Sequence, residues 1–435
     1  MDRVHSSLYK SLAVVALVVG ACTTSQSAPT STPVPTAATG AAATAGSASP
    51  SPTFVDETPA ALASDAPEPT PTPASTLEST PTPSAASTVA LKPPTGWTAS
   101  RQVGTATQCI SVTAGIDAAG RFHVAAECSG SIRYYFSSDG GRSWTARVFA
   151  HAANRDELDP RIGFQGNVVY VAYTRIIPDG GCSGTRGEPV GVFFRSRTLP
   201  NGAWSASTQI GSAGDTLGSF QVDRGILHAA VTAKDLSSYY VKVDGTVAHR
   251  YLISHSSMSA PSLRIGSDGH ARIAYATWRD GIRYGVFTGS AFATSKVTGS
   301  IEEDDDPVLA LDAANHAHVV WTRYEPAACG RFPVGTYHAS NASGAWKAER
   351  ITKDVGDTSI QVDGKTGRIH VLVGGQAGLR YFTAAPGGTW TRTTVASTKD
   401  VISPALRLDP ATGKLLGVYI DPFETSRRIY SFTTT

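Results

Sequence analysis

The chain has 435 residues, a formal net charge of +2 and 17% charged residues. Because it contains no cluster of Lys and Arg, its composition gives no support to a nucleic-acid-binding protein or a polybasic membrane-binding protein. No apolar run reaches the roughly 18 to 20 residues of a spanning helix, so we expect no integral membrane protein. All seven Trp residues follow residue 93, and the core is therefore expected after it.

Residues 1–21 have the layout of a secretory signal peptide. Arg3 and Lys10 precede an apolar stretch at 11–21 that is too short to cross a bilayer. The stretch ends in the sequence VGAC, which resembles the lipobox of bacterial lipoproteins, whose cysteine is acylated and becomes the mature N-terminus. The resemblance implies an exported protein held at the outer face of a bacterial membrane through a lipid on Cys22 only. An ordinary signal peptide is the alternative.

Residues 22–93 have the composition of a disordered stalk. Thirteen of the 26 Pro residues fall between 23 and 93, and the only aromatic residue there is Phe54. Such a segment cannot bury enough apolar surface to offset the entropy lost on ordering. Pro-rich chains favour an extended form of about 3.1 Å per residue. The segment is therefore predicted to be a tether, with a spacer of no selected length as the alternative.

Residues 94–435 are built from seven copies of one unit. A strand led by a small residue and an aromatic or apolar residue recurs at 96–103, 143–149, 203–210, 246–252, 291–297, 345–351 and 389–395. An alternating hairpin with an Asp/Gly turn recurs at 111–124, 161–171, 219–229, 262–273, 308–319, 359–371 and 405–418. This alternation predicts strands, and no stretch predicts an amphipathic helix. The period of about 49 residues is that of a four-stranded propeller blade.

The two ends of this region are complementary. The first copy of the fourth strand, at Trp97, follows no other strands, and the last three strands, within 403–432, are followed by no fourth strand. Pairing of 97–103 beside 429–432 would close the ring and leave only short edges. The sequence therefore predicts an all-β domain at 94–435, a seven-bladed β-propeller of four-stranded antiparallel blades, which we expect to be monomeric.

One turn carries a recognisable motif. Ser137, Asp139, Gly141 and Trp144 stand in the pattern S-x-D-x-G-x-x-W. This segment resembles the Asp box of sialidase-like propellers, also called BNR repeats, and residues 383–390 and 340–346 are degenerate copies. The resemblance implies a propeller fold and places the box between the third and fourth strands, with the Asp binding turn amides and the Trp packing. These are structural roles and not catalytic ones.

Sialidase activity does not follow from this resemblance. Sialidases have six blades and an early Arg-Ile-Pro motif that supplies the first of three arginines, whereas here Arg161-Ile162 follows Pro160. No Tyr/Glu nucleophile pair can be assigned. Some seven-bladed propellers with similar repeats are polysaccharide lyases, and many lipoprotein propellers have no known chemistry.

Four cysteines remain after Cys22, and an even number predicts disulfides in an exported protein. Cys109 and Cys128 flank a hairpin whose turn, at 117–120, places them directly opposite each other. Cys182 and Cys329 lie in related insertions of the second and fifth units, so a bridge between them is a second prediction. Free thiols and a metal shared by two cysteines are the alternatives.

The ligand site is expected on the face that carries the second-to-third and fourth-to-first strand connections, because loops from every blade converge there. Carboxylates on this face could act as acid and base on a glycosidic bond, and arginines could clamp a carboxylated sugar. The named catalytic candidates are Arg175, Arg279, Arg323, Asp159, Asp305 and Asp306, and the wider set adds Asp156, Glu157, Asp215, 302–304 and Asp357. Capping of turns before Pro or Ser is the alternative for each carboxylate.

Metal sites have little support in the sequence. The acidic run at 302–306 could bind Ca²⁺ through hard oxygen ligands, with a solvated loop as the alternative. Otherwise no cofactor or metal is predicted. Residues His123, His228, His318 and His370 occupy equivalent places in four repeats, which indicates packing or a strand hydrogen bond. His316 and His318 lack a third ligand at a characteristic spacing, so zinc is not predicted.

Together these observations favour a surface lipoprotein whose propeller binds an extracellular ligand, either a glycan or a protein. The alternatives are a glycan-cleaving hydrolase or lyase and a structural subunit of an envelope complex. The enzyme needs a compact acid/base cluster, whereas a binding protein needs exposed aromatic residues or diffuse polarity on the looped face.

Overall fold

The computed structural model describes residues 53–56, 96–149, 152–178, 187–278, 280–298, 303–327, 330–422 and 427–434. These residues form 29 strands joined by turns. Within these ranges no helix is long and apolar enough to cross a membrane. Seven four-stranded antiparallel sheets form the blades of a β-propeller, which confirms the predicted fold.

Two short strands precede the first complete blade, β1 (Thr53–Asp56) and β2 (Arg101–Gln102). Blade 1 comprises β3 (Cys109–Ile116), β4 (Phe122–Cys128), β5 (Ser131–Ser137) and β6 (Thr145–Val148). Blade 2 comprises β7 (Asp156–Gln165), β8 (Val168–Ile177), β9 (Glu188–Thr198) and β10 (Thr208–Gln209). Blade 3 comprises β11 (Thr216–Asp223), β12 (Ile226–Thr232), β13 (Ser238–Asp244) and β14 (Val247–Ser254).

Blade 4 comprises β15 (Ser262–Ile265), β16 (Ala271–Thr277), β17 (Gly281–Phe287) and β18 (Phe292–Lys296). Blade 5 comprises β19 (Glu303–Leu311), β20 (Ala317–Ala327), β21 (Gly330–Ser340) and β22 (Lys347–Thr352). Blade 6 comprises β23 (Asp357–Val362), β24 (Ile369–Gly375), β25 (Gly378–Ala384) and β26 (Thr391–Ala396). Blade 7 comprises β27 (Ile402–Leu408), β28 (Leu415–Asp421), β29 (Arg428–Thr433) and, from the other end of the chain, β2.

The ring closes through the N-terminal strand, as predicted. In the β2 to β29 ladder Arg101 pairs with Ser431 and Gln102 with Tyr430. An isolated bridge joins Trp97 to Thr434. The Trp97 ring lies edge-on to Phe432, with centroids 5.0 Å apart, so the closing segment is packed as well as hydrogen-bonded.

The second strand of each blade lies in the core between neighbouring blades. Strands β4, β16 and β28 are buried at every position. Both faces of such a strand pack against other sheets, so it reads as a nearly continuous apolar run and not as an alternation of apolar and polar residues. Trp321 on β20 is fully buried.

Blade 1 carries a disulfide between its first two strands. Cys109 and Cys128 are directly paired in the ladder, with Cα atoms 3.9 Å apart and sulfur atoms 2.12 Å apart. This confirms the first predicted bridge. The second involves Cys182 and Cys329, which lie outside the described residues, so it stays a prediction.

Part of the predicted stalk forms a strand. The four residues of β1 run parallel to the outer strand of blade 3, with Thr53 beside Val247 and Asp56 beside Arg250. The rest of 22–93 and all of 1–21, including the predicted lipid site Cys22, lie outside the described residues. The signal peptide, the lipid anchor and the disordered stalk therefore remain predictions.

Candidate functional site

The looped face is the surface formed by the second-to-third and fourth-to-first strand connections. In blade 2, β8 and β9 have 10 and 11 residues, and in blade 5, β20 and β21 have 11 each. The second strands of blades 3, 4 and 6 have seven. The hairpins of blades 2 and 5 therefore project from the looped face, where the sequence placed its two related insertions.

Arg175, on β8, lies beside a buried carboxylate. Its Nη2 donates to Glu157 Oε1 at 2.8 Å, to the Tyr173 hydroxyl at 3.0 Å and to Ser207 Oγ at 3.1 Å. The guanidinium lies over the Phe193 ring, 4.3 Å from its centroid. The Glu157 side chain is fully buried, and the Arg175 side chain is 12% exposed. Arg175 therefore neutralises a carboxylate of its own blade and does not stand open as a clamp.

Blade 5 repeats this arrangement. Arg323, on β20, donates through Nε to Asp304 Oδ1 at 2.8 Å and through Nη2 to Oδ2 at 3.1 Å. Its guanidinium lies 4.3 Å from the centroid of Tyr337. The Asp304 carboxylate is fully buried. A planar guanidinium that binds both oxygens of one carboxylate is a strong, directional pair. Its recurrence in two blades indicates a role in holding the projecting hairpins.

A third pair lies in the same hairpin. Arg331 Nη2 donates to Asp305 Oδ2 at 2.8 Å, and its guanidinium lies 4.2 Å from the centroid of Tyr324. Asp305 Oδ1 accepts from the amide of Asp306 at 2.8 Å. Two residues of the acidic run at 302–306 thus face arginines. In the described part of the chain no group of three or more His, Cys, Asp or Glu residues could hold a metal ion, and a calcium site stays an untested prediction.

Asp159 and Asp306 occupy the same bulge in two inner strands. Each precedes a proline and has a positive φ, 51° and 53°. The ladder register shifts there, between Leu158 and Arg161 in blade 2 and between Asp305 and Val308 in blade 5. Bulges of this kind re-aim side chains at the ends of strands and are common beside binding sites. The structure thus places both candidates at the start of an inner strand, near the channel mouth.

Blade 3 contains an ion pair of which the sequence analysis named only one member. Asp215 was a candidate, but its partner Arg250, on the outer strand β14, was missed. The Asp215 oxygens accept from Arg250 Nη1 and Nη2 at 2.6 and 3.1 Å. Burial raises the pKa of Asp215, although the hydrogen bonds from Arg250 oppose that effect. The side chains of Asp215 and Arg250 are 1% and 9% exposed, so the Asp215 carboxylate has little access to a substrate.

In the part of the chain that the structure describes, the large exposed apolar side chains lie on the looped face. Among the described residues they are Ile177, Trp278 and Phe332, which are 44%, 43% and 69% exposed. Ile177 ends β8, Trp278 follows β16, and Phe332 lies near the start of β21. Trp278 and Phe332 belong to neighbouring blades. Sequence reasoning missed both, although Trp278 has a signal, because it does not lead a repeat as five of the other Trp residues do.

Three arginines lie on inner strands around the central channel. Arg161, Arg264 and Arg407 come from β7, β15 and β27, in blades 2, 4 and 7. Each is half-buried and donates to a backbone carbonyl of its own or the next blade, at 2.7 to 2.8 Å. Burial, and after it the positive charge of neighbouring arginines, lowers the pKa of Arg264 to about 10 and that of Arg407 to about 9.

The Asp box lies between the third and fourth strands of blade 1. Ser137 Oγ donates to Asp139 Oδ1 at 2.7 Å and accepts from the amide of Gly141 at 2.8 Å. Asp139 Oδ1 also accepts from the amide of Ser143 at 3.0 Å. Hydrogen bonds from Ser143 hold the pKa of Asp139 well below its usual range. Trp144 is half-buried against the core of blade 1. These contacts all serve the turn and its packing.

The repeated histidines each contact a partner on the neighbouring third strand. Nδ1 of His228 and Nδ1 of His370 lie 2.7 and 2.6 Å from the hydroxyls of Tyr240 and Tyr381. His123 pairs with Tyr134 in the same way. In blade 5 His338 replaces the tyrosine, 3.2 Å from His318. The repetition gives these residues a common place inside the blades, away from the looped face.

The remaining candidates are scattered. Asp357 Oδ2 accepts from the amide of Ser403 at 2.8 Å, which ties blade 6 to blade 7. Asp156 lies at the start of β7. Arg279 and Glu302 lie outside the described residues, as do Cys182 and Cys329, so nothing is added here to their predicted roles.

Comparison with known proteins gives no family. No family model matches the chain, and no curated protein matches it. Among solved structures it is similar to the GH93 alpha-L-arabinofuranosidase of Fusarium graminearum with arabinobiose (13% identity, TM-score 0.47, 77% of this chain and 97% of the other). It is also similar to a Penicillium chrysogenum alpha-L-arabinanase with arabinobiose (12% identity, TM-score 0.49, 78% of this chain and 98% of the other). It is similar as well to a Trypanosoma rangeli sialidase in complex with the inhibitor DANA. The sequence identity is 11% and the TM-score is 0.48, and the match covers 76% of this chain and 55% of the other. At these values no activity or substrate is transferred to this chain.

Proposed function

We propose that the protein is an exported lipoprotein whose propeller binds a glycan on the looped face. The observation that carries this proposal is the position of Trp278 and Phe332, the two exposed large aromatic residues of the described chain. They lie on neighbouring blades of the face where the loops converge. Aromatic faces present a large apolar area at low cost in conformational entropy, and a sugar ring offers a matching face of C–H groups.

The state of the carboxylates favours binding over cleavage. A general acid or base must reach the substrate and exchange a proton with it. Glu157, Asp304 and Asp305 are instead buried and paired with arginines at 2.8 Å. Burial separates each carboxylate from a ligand in the loops. These three side chains therefore support the hairpins that present the binding surface.

The binding test is a screen of bacterial, plant and animal glycans on an array. The protein used begins at residue 23 and so contains every residue that the structure describes. The best glycan is then titrated calorimetrically against Trp278→Ala and Phe332→Ala. Because buried aromatic anchors dominate binding surfaces, each change is expected to weaken binding about tenfold or more. The control is Arg392→Ala, an exposed residue on the outer strand of blade 6, which should bind as the unchanged protein does.

Two outcomes would overturn this proposal. If no glycan binds, or if neither aromatic substitution affects binding, the proposed glycan site on the looped face is refuted. Such a result would favour a protein partner. Release of shortened glycans, detected by mass spectrometry after incubation, would make the protein a glycan-cleaving enzyme. In that case loss of product in Asp306→Ala or Asp159→Ala would locate the chemistry at the bulges.

The lipid anchor is tested separately. In cells fed an alkyne-bearing fatty acid, the protein should become labelled and remain with membranes. The Cys22→Ser variant should lose the label because it has no thiol to acylate. A secreted, unlabelled protein with intact Cys22 would support the ordinary signal peptide instead.

A further inference from the structure

The channel arginines have no carboxylate beside them in the part of the chain that the structure describes. Ion pairs join other arginines of this fold to carboxylates, as at Arg175, Arg250 and Arg323. Among the described residues, no carboxylate oxygen lies within 4.0 Å of a nitrogen of Arg161, Arg264 or Arg407. Counted from the buried apolar residue of each inner strand, Arg264 and Arg407 hold the same position, and Arg161 lies two residues before it. In the other five inner strands that position holds Thr113, Gly163, Gln221, Ala310 and Gln361.

The three positive charges are close enough to act on one another. Both Arg161 and Arg264 lower the pKa of Arg407, and Arg161 lowers that of Arg264. Of the three, only Arg161 has its pKa affected by an acidic residue, Asp159, whose charge opposes the effect of burial. A guanidinium stays protonated at any physiological pH, so this repulsion is not relieved by loss of a proton. It is relieved when an anion enters.

The donor geometry also suits an anion. A guanidinium has five N–H donors in a planar fork. Arg264 and Arg407 each use Nη1 on the carbonyl of the preceding residue, at 2.8 and 2.7 Å. Arg161 uses Nε on the Gly218 carbonyl of the next blade and Nη1 on the carbonyls of Asp159 and Pro160. Donors thus remain on all three, on inner strands, and partial burial strengthens their attraction for charge.

We propose that Arg161, Arg264 and Arg407 form an anion-binding site in the central channel that takes a compact oxyanion group, namely a sulfate, phosphate or carboxylate. The group is either a free ion or the acidic substituent of a larger ligand held on the looped face. The free-ion form of the site does not depend on glycan binding. The second form rests on the proposed glycan function and narrows it to acidic glycans.

The test is isothermal titration of the chain from residue 23 at constant ionic strength. The probes are inorganic sulfate, inorganic phosphate, citrate, a sulfated oligosaccharide and its unsulfated counterpart. Binding of one sulfate, phosphate or citrate per chain assigns the site to a free ion. Binding of the sulfated oligosaccharide alone assigns it to a substituent of a larger ligand. No binding of any anionic probe overturns the proposal.

The matched variants are Arg407→Gln and, as control, Arg392→Gln. Loss of one charge-assisted contact is expected to weaken anion binding about tenfold in Arg407→Gln and to leave Arg392→Gln unchanged. Without anion, Arg407→Gln should also unfold at higher temperature, because it removes like-charge repulsion, whereas loss of a purely structural arginine would lower that temperature. Should Arg407→Gln fail to fold, Arg264→Gln is measured with Arg264→Lys, which keeps the charge. Unchanged anion affinity in the folded Gln variants overturns the proposal.

The two proposals fail separately. If Trp278→Ala loses neutral-glycan binding but still binds sulfate, the proposed anion site in the channel is not refuted. If Arg407→Gln loses sulfate binding but still binds the neutral glycan, the proposed glycan site on the looped face is not refuted.

Discussion

Acidification from pH 7 to pH 5 is expected to destabilise the propeller through its repeated histidines. Burial lowers the pKa of His228, His318 and His370 to about 4, from an ordinary value of 6.5. In the unfolded chain these histidines take up protons below pH 6.5, whereas in the folded chain they stay neutral until about pH 4. Stability is therefore complete above pH 6.5 and falls as the pH drops through this window.

The magnitude follows from the two pKa values. At pH 5 the difference between a pKa of 6.5 and one of about 4 corresponds to about 2 kcal/mol for one histidine. His370 is the best single test, because it is 3% exposed and its Nδ1 lies 2.6 Å from the Tyr381 hydroxyl. In His370→Gln the loss of stability between pH 7 and pH 5 should be smaller by about 2 kcal/mol. The absolute stability of the variant does not enter this comparison.

The assay is urea unfolding at pH 7, 6 and 5, followed by tryptophan fluorescence and circular dichroism. The control is His255→Gln, which changes an exposed residue beyond β14. That variant should retain the full pH dependence of the unchanged protein. Equal pH dependence in His370→Gln and the unchanged protein would refute the view that buried histidines resist protonation in this fold.

Three further changes test other parts of the structure. Replacement of Cys109 and Cys128 by Ala opens a link of 19 residues and should cost about 3 kcal/mol in urea unfolding; an unchanged midpoint would contradict this. Asp139→Ala removes the acceptor of the turn amides and should cost about 1 to 2 kcal/mol without altering ligand binding. Arg323→Met leaves the buried carboxylate of Asp304 unpaired and should cost about 3 to 5 kcal/mol at pH 7, measured the same way.

The fold was predictable because each blade repeats a local pattern. Alternating strands and Asp/Gly turns are set by neighbours in the chain, and the phase of the repeats predicted that 97–103 lies beside 429–432, where Arg101 pairs with Ser431. Counting outward from one turn predicted that Cys109 and Cys128 face each other, and they do, although the ladder from Ser111 to Ile116 is offset from that count by one residue and a bulge between Cys109 and Ser111 compensates for it. Such inferences use the geometry of a hairpin, which local bulges modify.

The site was less predictable because bulges shift the register between the paired strands and because some of its contacts join distant parts of the chain. The sequence proposed Arg175 and Arg323 as open clamps but could not show that Glu157 and Asp304 neutralise them across the ladder. It also missed the cluster around Arg407, whose members approach only when seven blades close into a ring. Charges separated by more than a hundred residues leave no periodic signal in a sequence.

The pairing of β2 with β29 has a consequence for the order of folding. Arg101 is translated 330 residues before Ser431, to which it pairs, so the strand made first must wait for the strand made last. Until then the outer edge of blade 7 is open to pairing with other chains. A circular permutant in which β2 directly follows β29, with new ends between two other blades, would turn this long-range closure into a local hairpin. Closure should then be faster, because a short loop costs less entropy than a long one.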